Sequence, residues 1–281
     1  MTQIDFHLQL NHNDSWSMSR LHFHDYCELL LPLTSPGNIF VNDQVYPLSR
    51  GTLYLIGENT LHRTIATGFH ARYVLHISPK ALSALSTPQT DFSRMAQASF
   101  LRAEVPGGQL VSLTERFQAL ERNKNDGSFG SDVQQTIALL ELLIQAAPLL
   151  NAATAGESVR SKDFLRVSPI LDYIRDHLSE PLTLDAIAGQ FYLSKHYLCR
   201  IFKAATGFSV MEYIIYSRVL HARQLLREGV SVQQAGELSG FSDNSHFIRT
   251  FGHLTGTSPG RYAREHQSTD ASPLLGGRPE L

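Results

Sequence analysis

The chain carries the same segment twice. Residues 197–209 and 246–258 match position by position. Leu198 corresponds to Phe247, Arg200 to Arg249, Phe202 to Phe251, Thr206 to Thr255, Gly207 to Gly256 and Ser209 to Ser258, each pair 49 apart (247 − 198). An internal repeat sets the architecture before any finer detail is read.

Each copy reads as a helix with a shorter partner ahead of it. Leu198 and Phe202 lie four apart and share a face, as do Phe247 and Phe251. Gly207 and Gly256 stand where these helices end, because glycine accepts the left-handed cap conformation. Ser194 is the expected N-cap of the first helix, and Ser242 or Asp243 that of the second. Ahead of the first lies a short helix starting after Thr183, then a break at residues 191–193. Ahead of the second lies Val232–Glu237, then a break at Gly240 and Phe241. Short helix, tight turn and longer helix is the helix-turn-helix pattern.

Over residues 182–262 the sequence resembles the DNA-binding domain of the AraC/XylS family of bacterial transcription regulators. The marks are Leu184, Ile187 and Ala188, Leu193 and Ser194, Leu198, Phe202 and Lys203, Thr206 and Gly207, Tyr213, Arg218, Ala222, Leu225 and Leu226. They continue through Ser231 and Val232, Gly240 to Asp243, His246 and Phe247, Arg249, Phe251, Gly256 to Pro259, and Tyr262. Many matches at fixed spacing carry far more weight than one motif. Ala235, Gly236 and Ser239 depart from the family pattern, and Gly252 and His253 replace a usual basic pair. These departures imply a second motif less rigid and weaker at phosphates.

Length and composition fit this outline. The chain has 281 residues, enough for two domains, with 42% hydrophobic and 18% charged residues, as in a soluble globular protein. No uninterrupted apolar run approaches the ~18–20 residues of a membrane span, and the first residues lack the basic and apolar regions of a signal peptide. The only cysteines are Cys27 and Cys199, which exclude a disulfide framework and an all-cysteine zinc site. A cytoplasmic protein with no membrane partner is expected. Charge is divided between the halves. Residues 160–266 hold 13 Lys/Arg against 10 Asp/Glu, a balance of +3, whereas residues 1–159 hold 10 against 14, a balance of −4. That is the sign a C-terminal DNA binder requires.

The first 80 residues read as short strands: residues 29–31, 38–41, 44–48, 52–56 and 72–77, separated by turn residues such as Asn42 and Asp43. Strands at this spacing predict a sandwich or barrel. His22, His24, Tyr26 and Glu28 alternate, so on a strand they share one face. The pattern His-x-His-x-x-x-Glu, followed by Gly51 and His62, resembles the metal motifs of the cupin barrel, a fold that AraC-type regulators often carry as an effector domain. Three readings stay open. The residues line a polar effector pocket, they ligate a divalent metal such as Fe(II), Mn(II), Ni(II) or Zn(II), or they form a buried polar cluster without a ligand. The pocket is the reading adopted, with His22, His24, Tyr26, Glu28 and His62 as effector-binding residues and neither metal nor cofactor assigned.

From residue 81 the pattern turns helical. Leu113, Phe117 and Leu120 share one face, and Ser131–Ala147 is a strong helix with Ile137, Leu140 and Ile144 on one side and Leu139, Leu142 and Leu143 widening the apolar surface. Half of that surface covers the barrel, and the rest is available to a second subunit. Small polar residues at 151–163 read as a linker, Pro169 as the first turn of a helix over Ile170–Leu178, and Val210–Arg227 as one long helix with Arg218 and Arg223 free for phosphates or local acids. Residues 267–281 read as a disordered tail.

The expected organisation is thus multidomain. An N-terminal cupin-like β-barrel with flanking helices occupies residues 1–150. After the linker at 151–163, an all-α DNA-binding domain spans 164–266, with helix-turn-helix motifs near 184–205 and 232–255. If Leu198 and Phe202 face the core, the opposite face presents Lys195, His196, Cys199, Arg200 and Lys203. Arg200 suits a bidentate guanine contact, and Lys195 and Lys203 suit phosphates. The resemblance places base contacts at His196, Cys199 and Arg200. In the second copy Asn244, Ser245, Ile248 and Arg249 are presented, with adenine, a thymine methyl and guanine or phosphate as partners for Asn244, Ile248 and Arg249. The resemblance implies a transcription regulator, not an enzyme: an activator bound to double-stranded DNA, responding to a small molecule such as a carbohydrate, with RNA polymerase and a second copy as further partners. A cupin-type metalloenzyme fused to a DNA-binding domain is the alternative. A DNA-repair alkyl acceptor would need a cysteine cluster that two cysteines cannot supply.

Overall fold

β2 (Cys27–Pro32) is buried at every position in the computed structural model. A strand buried on both faces has to be covered on both. Cys27, Leu29 and Leu31 join a core built with helices, whereas Leu30, two positions on from Glu28, joins a core against a second sheet. The alternation follows from the two-residue period of a strand.

The structure describes residues 4–13, 21–35, 37–66, 69–123, 126–153 and 162–267. They form two compact units, one of residues 1–168 with 204–207 and one of residues 169–203 with 208–281. The expected tail over 267–281, beyond its first residue, and most of the expected linker lie outside the described residues.

The first unit holds two antiparallel sheets. One has five strands in the order β1 (Phe6–Asn13), β7 (His70–Ile77), β2, β5 (Thr52–Ile56) and β8 (Phe100–Glu104). The other has three, β4 (Gln44–Leu48), β3 (Gly37–Val41) and β6 (His62–Ala66). Between them lie Leu30, Tyr54, Ile56 and Val74 from the larger sheet and Ile39, Val41 and Leu48 from the smaller. Among the described residues no ladder closes the sheets into a barrel, so the arrangement is a sandwich; His22, outside the named strands, makes an isolated bridge to His62 of β6. Asn42 and Asp43 connect β3 to β4 with φ of 48° and 58°, the double left-handed turn that matches strand twist. Strands β1, β6 and β8 were not separated out in the sequence pattern.

Helices cover the outer face of the large sheet. α1 (Pro79–Ala84), α2 (Ser93–Gln97), α3 (Gly107–Arg122) and α4 (Ser131–Asn151) supply Leu82, Met95, Leu113, Phe117, Leu139, Leu142 and Leu143 to one core with Leu29, Leu55 and Leu75. α4 is long and apolar enough, by length and composition, to cross a membrane. Here it is a core helix, and its buried face is that of Leu139, Leu142, Leu143, Ala146 and Leu150. Val133, Ile137 and Ile144 stay more than half exposed.

α5 (Lys162–Asp176) starts earlier than the expected Ile170 and holds Pro169 in its interior. Then come α6 (Leu184–Gln190), α7 (Lys195–Thr206), α8 (Val210–Arg227), α9 (Val232–Leu238), α10 (Asn244–Thr255) and α11 (Pro259–Gln267), the last not foreseen as a helix. Local chemistry fixes their ends. Thr183, Ser209, Ser231 and Asp243 cap α6, α8, α9 and α10 through their side chains, and Ser209 forms a full capping box with Glu212.

The repeat is not one rigid translation. The Leu193 N–H donates to the Ala188 carbonyl at 2.8 Å and the Phe241 N–H to the Gly236 carbonyl at 3.0 Å. Tyr192 and Gly240 follow the first helix of each motif at φ of 54° and 87°. These pairs are 48 apart (241 − 193). The N-cap bonds, from Tyr197 N–H to Ser194 Oγ and from His246 N–H to Asp243 Oδ1, are 49 apart (243 − 194). The second turn is therefore one residue longer, and Asp243 rather than Ser242 caps its helix.

Candidate functional site

Two regions gather the residues singled out in the sequence. The first is the outer face of α7 and α10. Leu198, Ile201 and Phe202 of α7 and Phe247 and Phe251 of α10 are buried. Lys195, His196, Arg200 and Lys203 are exposed on α7, with Cys199 half-buried among them. Asn244, Ser245, Ile248 and Arg249 are exposed on α10. All nine side chains thus lie off the core. Lys195 Nζ sits 2.8 Å from Asp185 Oδ1 of α6, an exposed pair that costs little to exchange for a phosphate. The Arg200 guanidinium lies 5.2 Å from the Tyr197 ring centre.

The packing beneath the two faces differs. Ala188 and Leu198 of the first motif correspond to Gly236 and Phe247 of the second. A Cβ on Gly236 would lie 2.8 Å from Phe247 Cδ1. The glycine, a departure from the family pattern, makes room for a larger partner. Two arginines expected to be free are structural instead. Arg218 donates to the carbonyls of Leu178 and Glu180 at 3.0 and 2.7 Å. Arg223 is buried with its guanidinium 4.8 Å from the Tyr262 ring centre.

The second region is a histidine–glutamate cluster in the first unit. Residues 22–26 are not strand, so the expected alternation on one strand face does not hold. His22 reaches the cluster through its bridge to His62, and His24 through the bend ahead of β2. Glu28 Oε2 lies 3.1 Å from His24 Nε2, 3.1 Å from His76 Nε2 and 3.5 Å from His62 Nε2. The His22 and His62 rings are 4.1 Å apart. Tyr26 stands at the edge, its ring 6.3 Å from His76. His76 is the residue the sequence reading missed. It lies on β7 directly across from Glu28, and its signal was a lone polar residue in the apolar run ending at Ile77.

Burial by itself pushes the Glu28 carboxyl up, but the rings of His24, His62 and His76 around it outweigh this and hold it well below the usual range. Burial, reinforced by His62, lowers His22 to about 2, so it is a neutral ring.

A divalent metal of the cupin kind fits this donor set. The ligand atoms of His22, His24, Glu28 and His62 lie within 4.8 Å of one another. Buried Glu28 Oε1 and His62 Nε2 have no hydrogen-bond partner. Three imidazoles and a carboxylate are borderline ligands for first-row transition metals.

Two helix-turn-helix motifs with polar outer faces define a DNA-binding protein. A helix-turn-helix domain family matches residues 187–265. Over 247 residues the chain is 26% identical to the uncharacterized HTH-type transcriptional regulator YfiF of Bacillus subtilis, covering 86% of this chain and 78% of that one. It is 25% identical to the probable transcriptional regulator LumQ of Photobacterium leiognathi (86% and 90% covered) and to the HTH-type transcriptional activator RhaS of Escherichia coli (82% of each). The chain is a DNA-binding transcription regulator. Its matched helix-turn-helix domain, residues 187–265, is of the AraC type.

Proposed function

We propose that this regulator is an activator that couples a small-molecule signal in its N-terminal unit to DNA reading by α7 and α10. The observation that carries the reading is the repeated exposure of Arg200 and Arg249 at the same position of two capped helices. In this reading Arg200 and Arg249 approach guanine, Asn244 adenine and Ile248 a thymine methyl. His196, Cys199 and Ser245 complete the base-facing surface, while Lys195 and Lys203 hold phosphates. The two helices enter successive major-groove segments about one helical turn apart.

The sensing site is the cluster of His22, His24, Glu28 and His62, with Tyr26 at its rim and His76 added. Activation, as in the name of the relative RhaS, implies contact with RNA polymerase. The exposed Val133, Ile137 and Ile144 stripe of α4 suits a second copy. A cytoplasmic location and a regulatory rather than enzymatic role accord with relatives named as transcription regulators over most of their length.

The test uses the full chain. Small molecules are screened for a rise in melting temperature, and each hit is then assayed for its effect on binding to the operator. A hit should change DNA affinity in the wild type and lose its effect in Glu28→Gln. A hit whose effect is the same in Glu28→Gln would remove the cluster as the sensing site.

A further inference from the structure

Tyr192 stands in the turn between α6 and α7 with a φ of 54°. Among the described residues, the other non-glycine residues at positive φ are Asn42, Asp43 and Asn59. Asparagine and aspartate tolerate that region, whereas a bulky side chain there crowds its Cβ against the following carbonyl oxygen. No burial offsets the strain, since the tyrosine is 98% exposed. The second motif shows the same place when it serves the fold alone. Gly240 holds the equivalent position, 48 residues on (240 − 192), at a φ of 87°. A Cβ there would lie 2.4 Å from the Leu178 carbonyl oxygen and 2.9 Å from Arg218 Nε. The second turn is covered and requires glycine. The first is open to solvent and keeps an aromatic side chain that packing does not ask for. Strain held at an exposed position points to function.

The place in the motif says what lies beside it. The first helix of a helix-turn-helix crosses the DNA backbone, and the N-terminal residues of the second reach base edges in the major groove. Tyr192 joins the two helices, two residues ahead of Ser194, which caps α7, and three ahead of Lys195. A side chain at that junction has the sugar–phosphate strand at the rim of the groove as its neighbour. Tyrosine is among the side chains that bond phosphate oxygens, and its hydroxyl can donate.

We propose that Tyr192 is a further DNA contact, its hydroxyl donating a hydrogen bond to a backbone phosphate oxygen where α7 enters the groove. The inference rests on the reading of α7 as a DNA-reading helix and adds a residue to it. The phenol is neutral, so the contact strengthens binding to every duplex alike and displaces no counterion. Lys195 and Lys203, by contrast, contribute to the salt dependence. The second motif has no such contact, because Gly240 brings no side chain to its turn.

The experiment titrates full-length Tyr192→Phe and Tyr192→Gly, beside the wild type and Arg200→Ala, against two duplexes at several salt concentrations. One duplex is selected by the wild type from a random pool, and the other is its scrambled version. Tyr192→Phe keeps the ring and the backbone strain and removes only the hydroxyl. It should weaken binding to both duplexes by about tenfold, as for a hydrogen bond to a charged group, with the specificity ratio and the salt slope unchanged. Tyr192→Gly should show the same loss of affinity. It should also melt about 2–4 °C higher, because relief of the left-handed strain outweighs the greater freedom of glycine in the unfolded chain. The proposal is overturned if both variants bind the two duplexes as the wild type does while Arg200→Ala relaxes specificity; the reading of α7 then stands without Tyr192. It is overturned as well if Tyr192→Gly weakens binding and Tyr192→Phe does not, since the hydroxyl then makes no contact. A lower melting temperature for Tyr192→Gly would show that the side chain serves the fold, and would remove the argument from strain. If Arg200→Ala also binds both duplexes as the wild type does, the reading of α7 falls and this inference falls with it.

Discussion

Gly236→Ala tests the packing that distinguishes the second motif. The new Cβ would lie 2.8 Å from Phe247 Cδ1 and 3.1 Å from Cγ. Carbon atoms rest at about 3.5–4.0 Å, so the ring has to move by several tenths of an ångström at least. It has little freedom to do so. Phe247 is fully buried, and its ring packs on Phe241 and Phe251 with centroids 5.2 and 5.7 Å away. Overpacking of this kind costs about 1–3 kcal/mol. Alanine returns about 0.5–1 kcal/mol of helix propensity. The net expectation is a loss of about 1–2 kcal/mol, or several degrees in the melting temperature of a unit this size. Phe247→Leu makes the room that Leu198 leaves beside Ala188 in the first motif. The double variant should therefore be more stable than the sum of the two single changes implies, by about 1 kcal/mol or more. The assay is calorimetry of the full chain, following the transition that operator DNA raises. Stabilisation by Gly236→Ala alone, or simple additivity in the double variant, would refute the packing argument.

Two further outcomes follow from named residues. Arg218→Lys should lower stability by about 1–3 kcal/mol, because a lysine cannot reproduce the fork to the Leu178 and Glu180 carbonyls; unchanged stability with a shallower salt dependence of DNA binding would make Arg218 a phosphate contact instead. Burial, with Arg72 nearby, lowers His70 to about 4 from an unfolded value of 6.5, so the unfolded chain takes up a proton that the folded chain refuses, and stability falls as pH drops from 6.5 towards 4. The slope is at most about 1.4 kcal/mol per pH unit for this one group, and denaturant titrations across that range should show His70→Asn removing it.

Much of the C-terminal unit was legible because its signals are local. The repeat, the caps at Thr183 and Asp243, and the apolar pairs Leu198–Phe202 and Phe247–Phe251 all act within a few residues of one another. The extra residue in the second turn was hidden, since the comparison at 49 began inside the second helix of each motif, and the offset of 48 shows only in the bonds closing α6 and α9. Arg218 and Arg223 look like surface cations in sequence, and only the tertiary fold brings them to carbonyls and to Tyr262. The N-terminal cluster was found by its spacing but for a partly mistaken reason. His22 and His24 are placed by a bridge and a bend, not by strand alternation, and His76 joins them only through the pairing of β7 with β2. On α4 the apolar residues surround the helix, so periodicity could not tell which side the sheet would take, and the buried side is that of Leu139 and Leu142.

The central claim is that α7 and α10 read DNA with their exposed faces, and base reading by Arg200 against phosphate holding by Lys203 tests it most directly. The measurement is a binding titration of Arg200→Ala, Lys203→Ala and Arg249→Ala against operator and scrambled duplexes at several salt concentrations. Arg200→Ala should lose about 1–3 kcal/mol on the operator and relax preference at one base pair. Lys203→Ala should weaken all duplexes alike and lower the salt slope by about one unit. Arg249→Ala should lose less than Arg200→Ala, because Gly252 and His253 leave the second motif with fewer phosphate contacts. Identical specificity ratios and salt slopes for Arg200→Ala and Lys203→Ala would contradict the assigned orientation of α7. A larger loss at Arg249 than at Arg200 would make α10 the principal reader.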